Sequence, residues 1–292
     1  MNVTSVLQRL DHYEKLLRLD KPIGILLLLW PTLWAVWLSA NGRPNWKVVW
    51  IFVLGTVLMR SAGVAVNDFA DRKFDAHVER TRNRPLATGA VKPLEALLIA
   101  AALSLIAFVL ILPLGRNVIL LSFCALFLAV SYPFTKRFFA LPQAYLGVAF
   151  GFGIPMAYAA HTGTVPPIGW VLLLANIAWT IAYDTEYAMV DRADDVKLGI
   201  KTSAILFGRF DVAAVMLCHG VFLAIMCWVG WRLSLEWPYY AGLACAAALV
   251  AYQYFLIRGR DRERCFRAFL DNNWLGFVVF VGIVLAGLMP VQ

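Results

Sequence analysis

The sequence predicts an all-α membrane protein, a bundle of nine transmembrane helices, and three observations carry that prediction. Over 292 residues the composition is 61% hydrophobic and only 15% charged, against roughly 45–50% and about 25% in soluble domains. Apolar runs long enough to cross a bilayer, about 17–25 residues each, recur along the chain. The basic residues are also sorted by side: 22 of the 26 Lys and Arg fall on one face of the alternating runs. Such a composition excludes a soluble globular enzyme, a disordered chain and a DNA-binding domain. The net charge of +8 is the cationic face of a membrane protein and implies no nucleic acid.

Residues 1–21 are mostly polar. Within them "VLQRLDHYEKLLRLDKP" carries apolar residues at near-helical spacing, which suits a segment lying on the membrane surface; its cations would equally anchor the first span. No cleavable signal is expected there, because no small-x-small pattern follows the first apolar run. The spans read at 22–40, 46–66, 94–114, 118–133, 141–160, 167–184, 212–231, 238–257 and 273–290. Hydrocarbon offers the backbone no partner, so each must be a helix, and the alternation of a membrane β-barrel is absent. Gly151, Gly153 and Pro155 interrupt the fifth span, as a kink or a close helix contact would. The five cysteines include no CxxC pair, so neither a disulfide framework nor a zinc site is expected. One membrane-embedded domain over residues 1–292 follows. The charge bias puts the N-terminus in the cytoplasm.

The carboxylates are the informative residues. Seventeen of the 18 Asp and Glu lie on the cationic side. Two clusters follow directly on spans: "VNDFADRKFD", with Asn67, Asp68, Asp71 and Asp75, and "YDTEYAMVDRADD", with Asp184, Glu186, Asp191, Asp194 and Asp195. At about 100° per residue, Asp68, Asp71 and Asp75 share one helical stripe. Asp184, Asp191 and Asp195 share another, with Asp194 about 80° away. A pair of solvated, charged helix ends is the plain alternative. Against it, carboxylates at helix C-termini are disfavoured by the macrodipole, and like charges at this spacing repel. A hard, oxygen-seeking cation such as Mg2+, held partly by substrate phosphates, would compensate them. Such ions can make a diphosphate a leaving group, and aromatic faces can stabilise the allylic cation that remains.

The strings "RLDKPIGILLLLWPTLWAVW", "VNDFADRKFD", "TRNRPLATG", "YPFTKR", "YDTEYAMVDRADDVKLGIKTSAILFG" and "NNWLGFVVF" resemble the 4-hydroxybenzoate polyprenyltransferases of ubiquinone biosynthesis, in the UbiA superfamily. That resemblance covers the chain from about Arg18 to the last span. It implies a nine-helix bundle with a central cavity open to the cytoplasmic side and laterally to lipid. It also implies Mg2+-dependent transfer of a polyprenyl group from its diphosphate to the carbon ortho to the hydroxyl of 4-hydroxybenzoate. The setting would be the bacterial inner membrane, with the active site cytoplasmic. At matching positions, Asn67, Asp68, Asp71, Asp75, Asp191 and Asp195 would hold the metal. Lys136 and Arg137 would bind the diphosphate or the benzoate carboxylate, to which the planar Arg137 fork is suited, against the alternative of a membrane-surface anchor. Arg72 and Lys73 would assist the diphosphate, and Asp71, Asp191 and Arg137 would be catalytic. Arg82 and Arg84 belong either to a loop closing over the site or to a solvated loop. His77 is read as incidental.

Two other readings stay open. A secondary transporter also places carboxylates in membrane helices, but near the midplane rather than at one end. A sister enzyme would use homogentisate, a naphthoate or haem as acceptor. No protein partner is implied.

Overall fold

The computed structural model describes residues 3–75, 81–135 and 138–289; His77, Lys136 and Arg137 lie outside the described residues, and Lys73 is described in its backbone alone. Twelve α-helices follow in order: α1 (Val3–Leu17), α2 (Ile23–Ser39), α3 (Trp46–Asp75), α4 (Pro93–Ile111), α5 (Arg116–Thr135), α6 (Pro142–Gly151), α7 (Gly153–Thr162), α8 (Pro167–Leu198), α9 (Ser203–Phe207), α10 (Asp211–Arg232), α11 (Trp237–Ile257) and α12 (Arg262–Gly287). No strand occurs among the described residues.

Among the described residues, seven helical stretches are long and apolar enough to cross a membrane, fewer than the nine continuous spans expected. The difference has two sources. Helix α2 is apolar but only 17 residues long. The span expected at 141–160 is two ten-residue helices, α6 and α7, meeting at Phe152. Pro155 accounts for the break, since it lacks the N–H that would bond to Gly151 and its ring crowds that carbonyl. The second and sixth spans, by contrast, outrun their apolar stretches: α3 continues to Asp75 and α8 to Leu198. Helix α12 starts at Arg262, well before residue 273, with the Asp261 side chain capping it by accepting from Arg264 N at 3.0 Å.

The core lies where α2, α8, α10 and α12 meet. Trp34, Trp179 and Phe222 are fully buried, with ring centroids 5.2–5.8 Å apart. Three indole N–H groups in this region find acceptors, as burial favours. Trp34 donates to Gly276 O at 3.1 Å, Trp179 to Asn272 Oδ1 at 2.9 Å and Trp30 to Asn273 Oδ1 at 2.8 Å. Asn272 in turn donates to Glu186 Oε2 at 2.7 Å. Glu186 is therefore a core residue on the α12 side of α8, apart from the other carboxylates of its cluster. Helices α4 and α5 stand at the outside, with Leu98, Leu105, Val109 and Phe127 exposed, the surface that lipid covers.

Candidate active site

Helices α2 to α8 and the start of α12 enclose a cavity of about 1670 Å³. Its walls are apolar over most of their length, with aromatic side chains from Tyr132, Phe150, Phe152, Tyr183, Tyr187 and Phe269. One end is charged: Arg18, Asn67, Asp68, Arg84, Asp184 and Arg262 all line it. The two long helices explain this polarity. Because α3 and α8 continue unbroken past their apolar stretches, they carry their carboxylates out of the hydrocarbon on the cavity side.

The first motif is buried. Asp68 is 0%, Asp71 4% and Asp75 7% exposed, so the shared stripe on α3 faces protein. Asn67 and Asp68 reach the cavity wall; Asp71 and Asp75 follow one and two turns further along the helix. Burial, reinforced by Asp68 and Asp71 and opposed by Arg84, pushes the Asp75 carboxyl above its ordinary pKa. In the second motif Asp184 lines the cavity and Asp191 is buried, while Asp194 and Asp195 are partly exposed.

The carboxylates do not converge by themselves. Among the described residues no three acidic, His or Cys side chains come close enough to share a metal ion. Guanidinium groups stand between them instead. Arg84 Nη1 bridges Asp68 Oδ1 at 2.9 Å and Asp75 Oδ2 at 2.8 Å. Arg18 Nη2 lies 3.1 and 3.2 Å from the two oxygens of Asp68. At the other motif Arg262 sits 3.7 Å from both Asp191 Oδ1 and Asp194 Oδ2. The physical reason is mutual repulsion: carboxylates packed this closely need cations between them. The donor set itself, the five carboxylates of Asp68, Asp71, Asp75, Asp191 and Asp195 and the Asn67 amide, offers the hard oxygen atoms that a magnesium ion also coordinated by substrate phosphate would take.

Of the basic residues anticipated from sequence, Arg72 is occupied on its own helix. Its Nη1 donates to Phe69 O at 2.6 Å and its guanidinium lies over the Phe69 ring, turned back along its own helix. Of the pair left open between two kinds of loop, Arg84 is only 15% exposed and pairs with Asp68 and Asp75, whereas Arg82 is exposed. Three arginines were missed. Arg60 precedes Asn67 by seven residues, hence on the same helical stripe, and that spacing was the available signal. It lines the cavity two turns deeper, packed against Gly24 and over the Phe150 ring, so it is an internal residue rather than one of the surface cations. Arg18 and Arg262 sit in ordinary basic runs with nothing local to mark them. Arg262 is placed by the turn between α11 and α12, which Asp211 clamps through Arg260 Nη2 at 2.7 Å and Arg192 Nη1 at 3.1 Å.

A fold that is helical throughout the described residues and rich in helices able to cross a membrane, around a long cavity that is apolar along its length and charged at one end, defines a class: integral membrane proteins with an internal chamber. The model of the UbiA prenyltransferase family matches residues 28–288, and the chain belongs to that family. Its similarity to the 4-hydroxybenzoate octaprenyltransferase of Dechloromonas aromatica (strain RCB) is 66% identity over 98% of this chain and 97% of the relative. The protein of the same name from Nitrosospira multiformis is 68% identical over 96% and 97%. Among solved structures, a UbiA homolog from Aeropyrum pernix K1 superposes with a TM-score of 0.78 at 24% identity, covering 88% of this chain and 97% of that one. A UbiA homolog from Archaeoglobus fulgidus bound to GPP and Mg2+ superposes with a TM-score of 0.69 at 16% identity, covering 94% and 99%.

Proposed function

We propose that the protein transfers a polyprenyl group from polyprenyl diphosphate to the ring carbon ortho to the hydroxyl of 4-hydroxybenzoate, in ubiquinone biosynthesis. The observation that carries this reading is the cavity itself: a lipid-sized apolar chamber whose charged end is lined by Asn67 and Asp68 of the first motif and Asp184 of the second. The near full-length likeness to relatives named 4-hydroxybenzoate octaprenyltransferase supports the acceptor and the donor class. A chain of about 40 carbons would lose roughly 30 kcal/mol on entering water, at about 0.8 kcal/mol per carbon. The prenyl tail therefore stays in the membrane and only its head reaches the charged end. Leu105 and Phe123 both line the cavity and are exposed, which supports lateral entry between α4 and α5.

Asn67, Asp68, Asp71 and Asp75 on α3, with Asp191 and Asp195 on α8, would hold Mg2+. Bound there, the metal supplies charge neutralisation of the diphosphate leaving group. The chain's own residues do the rest. Arg18 and Arg84 offer donors to phosphate oxygens, and Lys136 and Arg137 are proposed to bind the diphosphate or the benzoate carboxylate. Tyr132, Phe150 and Tyr183 present aromatic faces to the allylic carbon as its bond to the diphosphate breaks. Arg60, deeper in the cavity, receives the benzoate carboxylate and so fixes which ring carbon meets the prenyl cation. That carbon forms the new bond and gives up its proton to the departed diphosphate, the base that the reaction itself supplies.

Nine crossings are proposed, counting α2 and the α6–α7 pair as one each. With the N-terminus cytoplasmic, both motifs face the cytoplasm in a bacterial inner membrane, and residues 1–292 act as a single domain. Purified protein supplied with Mg2+, 4-hydroxybenzoate and a set of prenyl diphosphates should yield the prenylated acid by mass spectrometry. Full activity after exhaustive chelation would overturn the metal assignment. A product only with homogentisate or a naphthoate would move the acceptor.

A further inference from the structure

We propose that Arg84 is an exchangeable counter-ion: its guanidinium holds the place of the metal between Asp68 and Asp75 and leaves it for the diphosphate when that substrate arrives. The inference rests on the prenyl-diphosphate reading above and adds a reason why metal and substrate bind together.

The geometry is specific. A single nitrogen, Arg84 Nη1, contacts Asp68 Oδ1 at 2.9 Å and Asp75 Oδ2 at 2.8 Å, the bridging position a shared cation takes between two carboxylates. Asp68 Oδ1 also faces Arg18 Nη2 at 3.1 Å, so one buried carboxylate meets two guanidinium groups. A divalent cation arriving alone would face that positive charge at short range, where charge interactions are strong. A metal carried with a diphosphate changes the balance. The diphosphate offers the planar guanidinium fork a bidentate partner, and Asp68 and Asp75 are released to the metal.

The setting of Arg84 permits this transfer. Arg84, Asn83 and Pro85 line the cavity, so the side chain already borders the space that the diphosphate would fill. The backbone around it is self-supporting: Arg84 N donates to Thr81 O at 2.9 Å and Thr88 N to Arg84 O at 3.0 Å. The turn is also pinned to the end of α3, where Thr81 Oγ1 donates to Asp75 O at 2.8 Å. None of these bonds uses the guanidinium. The side chain can swing while its loop stays folded.

Two variants separate this role from a structural one, because the inference moves two affinities in opposite directions. With full-length protein in lipid nanodiscs, free Mn2+ is counted by electron paramagnetic resonance, without and with geranyl diphosphate. Arg84→Gln should bind Mn2+ alone at least about tenfold more tightly than wild type, and should bind geranyl diphosphate more weakly. Arg84→Lys keeps the charge but loses the fork. Its affinity for Mn2+ alone should match wild type while diphosphate binding weakens by about tenfold. If Arg84→Gln binds Mn2+ alone no better than wild type, or Arg84→Lys binds the diphosphate as wild type does, the inference is wrong. Failure of the broader reading would be seen elsewhere, in a wild-type protein that turns over no prenyl diphosphate.

Discussion

At the scale of single residues, neighbouring carboxylates should differ sharply in what they contribute. Asp71→Asn and Asp191→Asn each remove a buried charge from the proposed metal–diphosphate site, and loss of one preorganised electrostatic contact costs about 10²–10³ in rate. Asp194→Asn should stay within about tenfold of wild type, because that carboxylate is partly exposed and its charge is screened. Product formation at equal folded protein in the membrane makes the comparison, and equal damage at Asp194 and Asp191 would refute the assignment. Arg60→Leu should raise the KM for 4-hydroxybenzoate at least about thirtyfold, as loss of a buried partner for a carboxylate does, and spare prenyl-diphosphate binding. A matching rise in the diphosphate KM would count against it. Gly24 belongs to the same local arrangement, since a Cβ there would lie 2.5 Å from Arg60 Nη2. The carboxylate stripes were legible in the sequence because α3 and α8 stay regular and helical angle alone sets the stripe. The counter-charges were not. Arg84 reaches Asp68 from 16 residues away and Arg18 from 50, distances over which no periodicity operates.

At the scale of elements, hydropathy located every apolar run but misjudged how the runs are built. A window average registers Gly151, Gly153 and Pro155 as mildly apolar, whereas the backbone at that point needs a donor that Pro155 lacks. Conversely, α3 and α8 extend through charged sequence that no hydropathy threshold would include. Their continuation is possible because those charges are met by arginines from other elements. Close helix packing is the other feature that composition hides. A Cβ on Gly242 of α11 would lie 2.7 Å from Val278 O and 3.1 Å from Gly282 Cα on α12, the near-backbone contact that small residues allow in membranes. Gly242→Leu should therefore push α11 off α12, at an overpacking cost of about 1–3 kcal/mol. A lowered thermal midpoint in nanodiscs is the expected result, and an unchanged midpoint would show that the two helices have room.

At the scale of the whole molecule, the 22-to-4 division of basic residues predicts that the ends of α3 and α8 share one side of the membrane. Ala193 is exposed on α8 between the carboxylates. As the sole cysteine of an otherwise cysteine-free chain, Ala193→Cys should react with an impermeant maleimide in inverted vesicles and not in intact spheroplasts; the reverse pattern would invert the topology. The junction of α2 with α12 has a consequence for biosynthesis. Trp34 and its acceptor on Gly276 are 242 residues apart, and Trp30 and Asn273 are 243 apart. A ribosome thus delivers α2 to the bilayer long before the helix that satisfies its indoles, and Trp179 and Glu186 wait for that same helix. The chamber has no complete wall until α12 is in place. A truncated chain lacking α12 would hold both aspartate motifs yet lack the wall that Phe266 and Phe269 supply, so the proposed prenyl transfer should be absent from it.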